Sequence, residues 1–199
     1  MSGKLFIISS PSGAGKTTLV NAVLGRLQNQ FSIDRVITYT SRDLRSGEID
    51  GQHYHFVSSE DFEGRLKDGF FLEWSGRYGS YYGTPRHIVD ELDQGQSRIL
   101  IIDRLGAERV VSIAKDPSPV LTNRVKSVWI YTSDVQELER RLIKRGEETK
   151  TQIRRRLELA KQELEKEKQI PLYDHKILND DFAQAAQKLE NLIMCDLKS

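Results

Sequence analysis

A chain of 199 residues can bury a real core as one domain, or as one domain carrying insertions, and is too short for two independent ones. With 38% hydrophobic and 30% charged residues it is excluded from the disordered and membrane classes. Its 30 basic and 29 acidic residues leave a net charge of +1, which excludes a general polyanion binder and confines any electrostatic recognition to local clusters.

In chain order, Met1-Ser2-Gly3-Lys4 leads into a short apolar run, so neither a signal peptide nor a membrane span is expected. Leu5 to Ser9 reads as a buried strand, because a brief apolar run bounded by turn formers has that signature. The stretch Ser-Ser-Pro-Ser-Gly-Ala-Gly-Lys-Thr-Thr from Ser9 to Thr18 follows, and Thr17 to Leu27 reads as a helix with Leu19, Val20, Val23, Leu24 and Leu27 on one stripe. Val36 to Thr40 is predicted as a strand, and Asp50-Gly51 ahead of His53-Tyr-His-Phe56 as the turn of a hairpin, making residues 36 to 88 a small β-rich insertion. Arg98 to Asp103 and Ser127 to Tyr131 are continuous apolar strands suited to a sheet covered on both faces. Ser133 to Gln136 reads as a capping box opening a helix that passes Leu138 and Leu142 and stops at Gly146. A helix over 151–168, a strand over Lys176 to Leu178 and a helix from Ala183 to Met194 close an α/β chain built on a parallel sheet flanked by helices.

Strand, glycine-rich turn and helix together aim successive backbone N–H groups and a helix N-terminus at one anion. Here Ser10, Pro11, Ser12, Gly13, Ala14, Gly15, Lys16, Thr17 and Thr18 form that cradle. Gly13 and Gly15 permit close backbone approach, Lys16 supplies a point charge for the β- and γ-phosphates, and the Thr17 hydroxyl is placed to ligate Mg²⁺. Only Ser10 departs from the G-x-x-x-x-G-K-[ST] pattern, at its first glycine. The cradle implies a nucleoside triphosphate and leaves the reaction open.

Two further stretches narrow it. Thr40, Arg42, Arg45, Gly47, Glu48, Gly51, Tyr54 and Phe56 match a T-x-R-x-x-R-x-G-E-x-x-G-x-x-Y-x-F run, and Glu73, Tyr81, Tyr82, Gly83 and Thr84 match E-x(7)-Y-Y-G-[ST]. With Arg141, Arg145 and Gly146, with Arg156 one helix on, and with Leu178-Asn179-Asp180-Asp181, the sequence resembles the guanylate kinase family over essentially its whole length. The resemblance implies ATP and GMP, with dGMP beside it, as substrates and Mg²⁺ as cofactor. It implies a core of residues 1–35, 90–132 and 170–199, a GMP-binding insertion over 36–89 and a lid over 133–169. Asn179 would belong to the ATP side. Thr38, Arg42, Arg45, Glu48, Tyr54, Glu73, Tyr82, Thr84 and Asp103 would form the GMP side, and Lys16, Arg42, Arg141, Arg145 and Arg156 would stabilise the moving phosphoryl group.

The residue chemistry agrees with those roles. Forked guanidinium groups and phenolic hydroxyls grip a dianionic phosphate. One carboxylate at Glu73 can accept from both N1–H and the 2-amino group of guanine, whereas adenine offers neither donor. Glu73 could also serve only as a cap or ion pair near Trp74, and Asp103 only to bond neighbouring backbone donors at a strand end. Where the family shows D-[IV]-[DE]-x-[QG]-G, Ile101 and Leu105 replace the first acid and the usual glutamine, which leaves any metal contact of that first acid in question.

Two other readings share much of this pattern: a kinase of another phosphorylated small molecule, and a non-catalytic guanylate-kinase-like module binding phosphopeptides. The intact Lys16, Thr17 and lid arginines count against the second. His53 and His55 share a strand face but lack a third ligand, so a solvated hairpin face is expected there and not zinc. Arg154-Arg155-Arg156 is balanced by Glu158, Glu163, Glu165 and Glu167, so no nucleic-acid partner is expected. Trp74 and Trp129 are expected in the core. The single Cys195 allows no internal disulfide and fits a reducing cytoplasm.

Overall fold

The computed structural model describes residues 2–11, 13–77, 79–115, 120–145 and 149–198, with the side chains of Arg77 and Arg145 outside that description. At its centre lies β1 (Leu5–Ser9), parallel to β7 (Ser97–Ile101) on one side and to β8 (Val125–Tyr131) on the other. Strands β2 (Ile33–Arg35) and β9 (His175–Leu178) complete a five-stranded parallel sheet in the order β2-β7-β1-β8-β9. Strand residues alternate between faces. Phe6 and Ile8 therefore enter the core beneath α1 (Lys16–Leu27) and α7 (Phe182–Lys198), while Leu5 and Ile7 enter the core shared with α3 (Ile88–Asp93) and α4 (Arg104–Lys115). Both faces are covered, which is why β1 reads as an unbroken apolar run.

The predicted strand over 36–40 is corrected. The chain leaves the parallel sheet at Arg35 and joins a second sheet only at β3 (Tyr39–Thr40), because the insertion must turn away from the core between them. That second sheet has the order β4-β3-β6-β5, with β4 (His55–Phe56), β5 (Phe71–Arg77) and β6 (Ser80–Pro85). The Asp50-Gly51 hairpin is also corrected. Gly51 does turn the chain, with φ of 74°, but β3 and β4 pair in parallel. The Asp50 carboxylate accepts from the Phe56 N–H instead of opening a two-residue turn. The antiparallel hairpin of this sheet joins β5 to β6, with Gly79 at φ 80° in its connection.

The insertion also contains a helix that its β-rich reading missed, α2 (Ser59–Lys67). Ser58 caps it by accepting from the Asp61 N–H at 3.0 Å, and acids in its first turn and bases in its last complement the helix dipole. Phe62 from α2 is wholly buried, stacked on Phe71 and Tyr81 at centroid distances of 4.4 and 5.2 Å. Gly83 is required opposite it, since a Cβ there would lie 2.7 Å from Phe71 and 2.8 Å from Phe62.

Helix α5 (Val135–Arg145) and the long α6 (Lys150–Gln169) pack on each other, with Leu138 and Ala160 meeting at Ala14. The predicted capping box at Ser133 is corrected: the Asp134 carboxylate accepts from the Gln136 N–H at 2.8 Å, while the Ser133 N–H donates to Asp180. A capping box stands instead at the head of α6, between Thr149 and Gln152. The predicted stop at Gly146 lies outside the described residues. Trp129 is in the core, but Trp74 is only partly buried and lies beneath the Arg109 guanidinium, 4.7 Å from its ring centroid.

Candidate active site

The apolar β1 ends where the glycine-rich turn begins, so the turn and the head of α1 open on the carboxyl edge of the sheet. Gly13 and Gly15 have φ of 88° and 84°, a region unfavourable to side-chain-bearing residues. Gly15 has a second constraint, since a Cβ there would lie 2.9 Å from Asn179 Nδ2. Asn179 is buried and donates to the Ala14 carbonyl at 2.7 Å, so it braces the cradle from behind. Arg141, held by Glu137 at 2.8 Å, also donates to the Asn179 carbonyl at 3.2 Å. Ala14 packs against Leu138 and Ala160, which docks α5 and α6 on the turn, and Pro11 is buried with its carbonyl accepting from the Ser10 hydroxyl. Ser12 and the Arg145 side chain lie outside the described residues.

A cleft of about 480 Å³ joins this cradle to the insertion. Ser10, Gly13, Lys16, Thr17 and Thr18 line one wall, and Arg156 reaches it from α6. Thr38, Arg42, Arg45, Tyr54 and Tyr82 line the other, with Glu48, Glu73 and Asp103. Residues from five separate sequence stretches thus meet in one hollow. Thr84, Asn179, Pro11, Ala14, Gly15 and Arg141 are not among the residues that line it; Thr84 bonds to Glu73, and Asn179 to the Ala14 carbonyl.

Two acidic groups differ sharply in how they sit. Glu48 accepts from Arg42 Nη2 at 2.8 and 2.9 Å and from the Arg45 N–H at 2.9 Å. Burial opposes its ionisation, yet the Arg45 N–H and the Arg42 guanidinium hold its carboxyl below the ordinary range. A bound carboxylate of this kind repels a phosphate, so Glu48 orients Arg42 and does not itself grip an anion. The Arg42 guanidinium also lies 5.6 Å from the Tyr54 ring centroid and 5.5 Å from that of Phe56, fixing its plane. Glu48→Gln is expected to raise KM for a phosphorylated acceptor by about tenfold, because a neutral partner holds a guanidinium less firmly. Steady-state titration of the acceptor checks this.

Glu73 has no such charged clamp. It is 4% exposed, and burial pushes its carboxyl up to about 7, with the Thr84 hydroxyl donating to it as the main opposing influence. Thr84 is fully buried, so it aims Glu73 and is screened from the cleft. Gly106 leaves room for the carboxylate, since a Cβ there would sit 2.6 Å from Glu73 Oε2. The cleft wall that Glu73 and Thr38 both line thus carries a buried carboxyl whose pKa is raised by burial, a group able to accept hydrogen bonds when ionised.

Asp103 is more committed. It accepts from the Gly106 N–H at 2.9 Å, capping α4, and from the Ser75 hydroxyl at 2.9 Å. Strand-end bonding therefore engages each of its oxygens once while Asp103 still lines the cleft, and Ile101, two residues before it, also lines the cleft.

Sequence reasoning passed over three contributors. Arg35 lines the cleft and donates to the carbonyls of Gln52 and His53, tying the end of β2 to the turn that carries Tyr54. Ser75 holds Asp103, and Arg109 lies over Trp74. No local spacing marks any of them, since their partners lie far along the chain.

A phosphate cradle facing a second, arginine-rich anion subsite belongs to the P-loop phosphotransferases that act on a phosphorylated acceptor. The guanylate kinase family model matches residues 2–195, and the chain belongs to that family. A guanylate kinase of Chromobacterium violaceum is 40% identical over 192 residues, spanning 96% of this chain and 85% of that protein. One from Symbiobacterium thermophilum is 38% identical over 196 residues, spanning 98% and 86%. The crystal structure of guanylate kinase from Anaplasma phagocytophilum superposes with a TM-score of 0.78 at 28% identity, covering 100% of this chain and 88% of that one.

Proposed function

We propose that the cleft runs guanylate kinase chemistry by direct in-line transfer, with Glu73 reading the acceptor base. As a member of its family the protein is an ATP-dependent kinase that phosphorylates GMP to GDP. The observation that carries the assignment of roles is the buried Glu73 carboxyl, poised near neutrality across one hollow from the glycine-rich cradle.

The acceptor needs no protein nucleophile. A nucleotide phosphate, with a second pKa of about 6, is already mostly dianionic at neutral pH. One of its oxygens bonds to the γ-phosphorus of ATP as the bond from that phosphorus to the β,γ-bridging oxygen breaks, releasing ADP and leaving GDP. Arg42, Arg45, Tyr54 and Tyr82 hold the acceptor phosphate, while Lys16, Arg141, Arg145 and Arg156 meet the charge that spreads over the moving group. Glu73 and Thr38 hold the guanine edge; dGMP presents the same base and phosphate and is accepted too. Glu48, Thr84, Asp103 and Asn179 act through the residues they bind.

The donor set suits Mg²⁺ delivered with the triphosphate. Thr17 offers an exposed hydroxyl at the head of α1, and this hard ion keeps several waters and takes few protein ligands besides phosphate oxygens. When bound, the ion neutralises charge on the β- and γ-phosphates. The three working units are the core (1–35, 90–132 and 170–199), the insertion (36–89) and the lid (133–169). Support for these bounds comes from the exit of the chain from the parallel sheet at Arg35 and from the pairing of α5 with α6. No helix among the described residues is long and apolar enough to cross a membrane, and a cytoplasmic site of action fits this nucleotide chemistry.

An assay of ADP release with AMP, GMP, CMP and UMP tests the reading. GMP-dependent release well above the other three is expected. Equal release with AMP would overturn the role given to Glu73.

A further inference from the structure

Arg104 is 4% exposed, an unusual setting for a guanidinium at the first position of a helix. Its neighbour Leu105 is 51% exposed, so the polar residue points inward and the apolar one outward. Inside, Arg104 Nη1 donates to Glu167 Oε2 at 2.5 Å, Nη2 donates to the Ile170 carbonyl at 2.7 Å, and Nε donates to Glu108 at 3.0 Å. Glu167, 3% exposed, also accepts from the Leu172 N–H at 3.1 Å and lies 3.1 Å from Lys176 Nζ. The guanidinium lies 5.9 Å from the ring centroid of Tyr173, which stacks on Trp129 of the central sheet. This end of α6 is thus anchored to the rigid core.

The other end of the same helix is built differently. Leu157 and Ala160 pack on Ala14 and Leu138 at the phosphate cradle, and Arg156 lines the cleft. Arg156 and Glu167 are eleven residues apart, about 16 Å along a helix rising about 1.5 Å per residue. A tilt of a few degrees about Glu167 moves Arg156 by about 1 Å, enough to cost a large factor in a reaction that depends on placement.

We propose that Arg104 and Glu167 form the pivot of the lid, a positioning pair that sets where Arg156 meets the transferring phosphoryl group. A buried ion pair contributes little net stability compared with a well-packed apolar pair, so its presence here is explained better by the geometry it fixes. Arg104 also directly follows Asp103, whose carboxylate accepts from Ser75 of the insertion. The lid pivot and an anchor of the acceptor-side sheet therefore share adjacent residues of one strand-to-helix junction.

The inference rests on the role given above to Arg156, and a mutant cycle separates the two. Steady-state rates with ATP and GMP are measured for Glu167→Gln, Arg156→Ala and the double variant of the full chain. Glu167→Gln is expected to lower kcat about tenfold with KM for GMP unchanged, a size consistent with misplacement of one charge-stabilising group. In the Arg156→Ala background the second substitution is expected to add no further loss. If Arg156→Ala leaves kcat unchanged, the role of Arg156 itself fails. If Arg156→Ala is impaired and the two losses multiply, or if Glu167→Gln has full activity, the pivot is overturned. Should Glu167→Gln melt below the assay temperature, Arg104→Lys is carried through the same cycle. It keeps the charge but loses the fork that reaches Glu167 and Ile170 together, and the same outcomes decide.

Discussion

Glu73→Gln is expected to lower kcat/KM for GMP by about 10²-fold, while activity on AMP stays at its low level. Guanine presents two donors on adjacent atoms, and a carboxylate offers two acceptors to meet them. An amide offers one acceptor and one donor, so one contact becomes a clash in a closed site, at about 2–3 kcal/mol. The expected cost exceeds that of losing a surface contact because Glu73 is buried. Parallel kinetics with GMP and AMP would decide it, and a variant still preferring GMP by the wild-type margin would contradict the role assigned.

The same substitution has a stability consequence with a definite sign. The carboxyl is pushed up from 4.5 to about 7 by burial, so the folded apo-protein holds its proton more tightly than the unfolded chain does. The contribution is therefore full below about pH 4.5 and is lost as pH rises through about 7. The loss approaches about 3 kcal/mol by pH 8, an order of magnitude set by 1.36 kcal/mol per pH unit. Glu73→Gln should remove this decline, and the variant without nucleotide should melt above the wild type at pH 8. GMP binding favours the ionised form and should release a proton near pH 6.5, visible by calorimetry in buffers of different ionisation enthalpy.

Lys16→Met is expected to lower kcat by about 10²–10³ with little change in GMP affinity, the usual cost of removing one preorganised charge from a transition state. Lys16 opens α1 directly after Gly15, and both glycines of the turn are in conformations that bring the main chain close to a ligand. The acceptor subsite is built from other elements, so its affinity should survive. Steady-state kcat combined with a direct GMP titration checks both halves, and a kcat within threefold of wild type would contradict the placement of the γ-phosphate beside Lys16.

What the sequence made legible was whatever is encoded locally. The strand of Leu5–Ser9, the glycine turn and the stripe of α1 are contiguous, and each carries its own periodicity or turn chemistry. The limits appear where partners are distant. Helix α4 went unread because it starts directly at a strand end, and its first two residues invert the expected burial: Arg104 inside, Leu105 outside. Asp103 spends its oxygens on Ser75, 28 residues away, and on Gly106. Glu48 carries a substrate-like motif position but is consumed by Arg42, a distinction that only side-chain geometry can make. The Asp50-Gly51 pair has the residues of a hairpin turn, and the parallel pairing of β3 with β4 overrides it.

Glu73 pointing at the base edge is best tested by a thermodynamic cycle on binding alone. Affinities of GMP and IMP, which differ only in the 2-amino group, are measured for the wild type and for Glu73→Gln. A wild-type preference for GMP of about tenfold or more, collapsing in the variant, is expected from the loss of one charge-assisted hydrogen bond. An equal preference in both proteins would place the 2-amino group away from Glu73 and contradict the assignment.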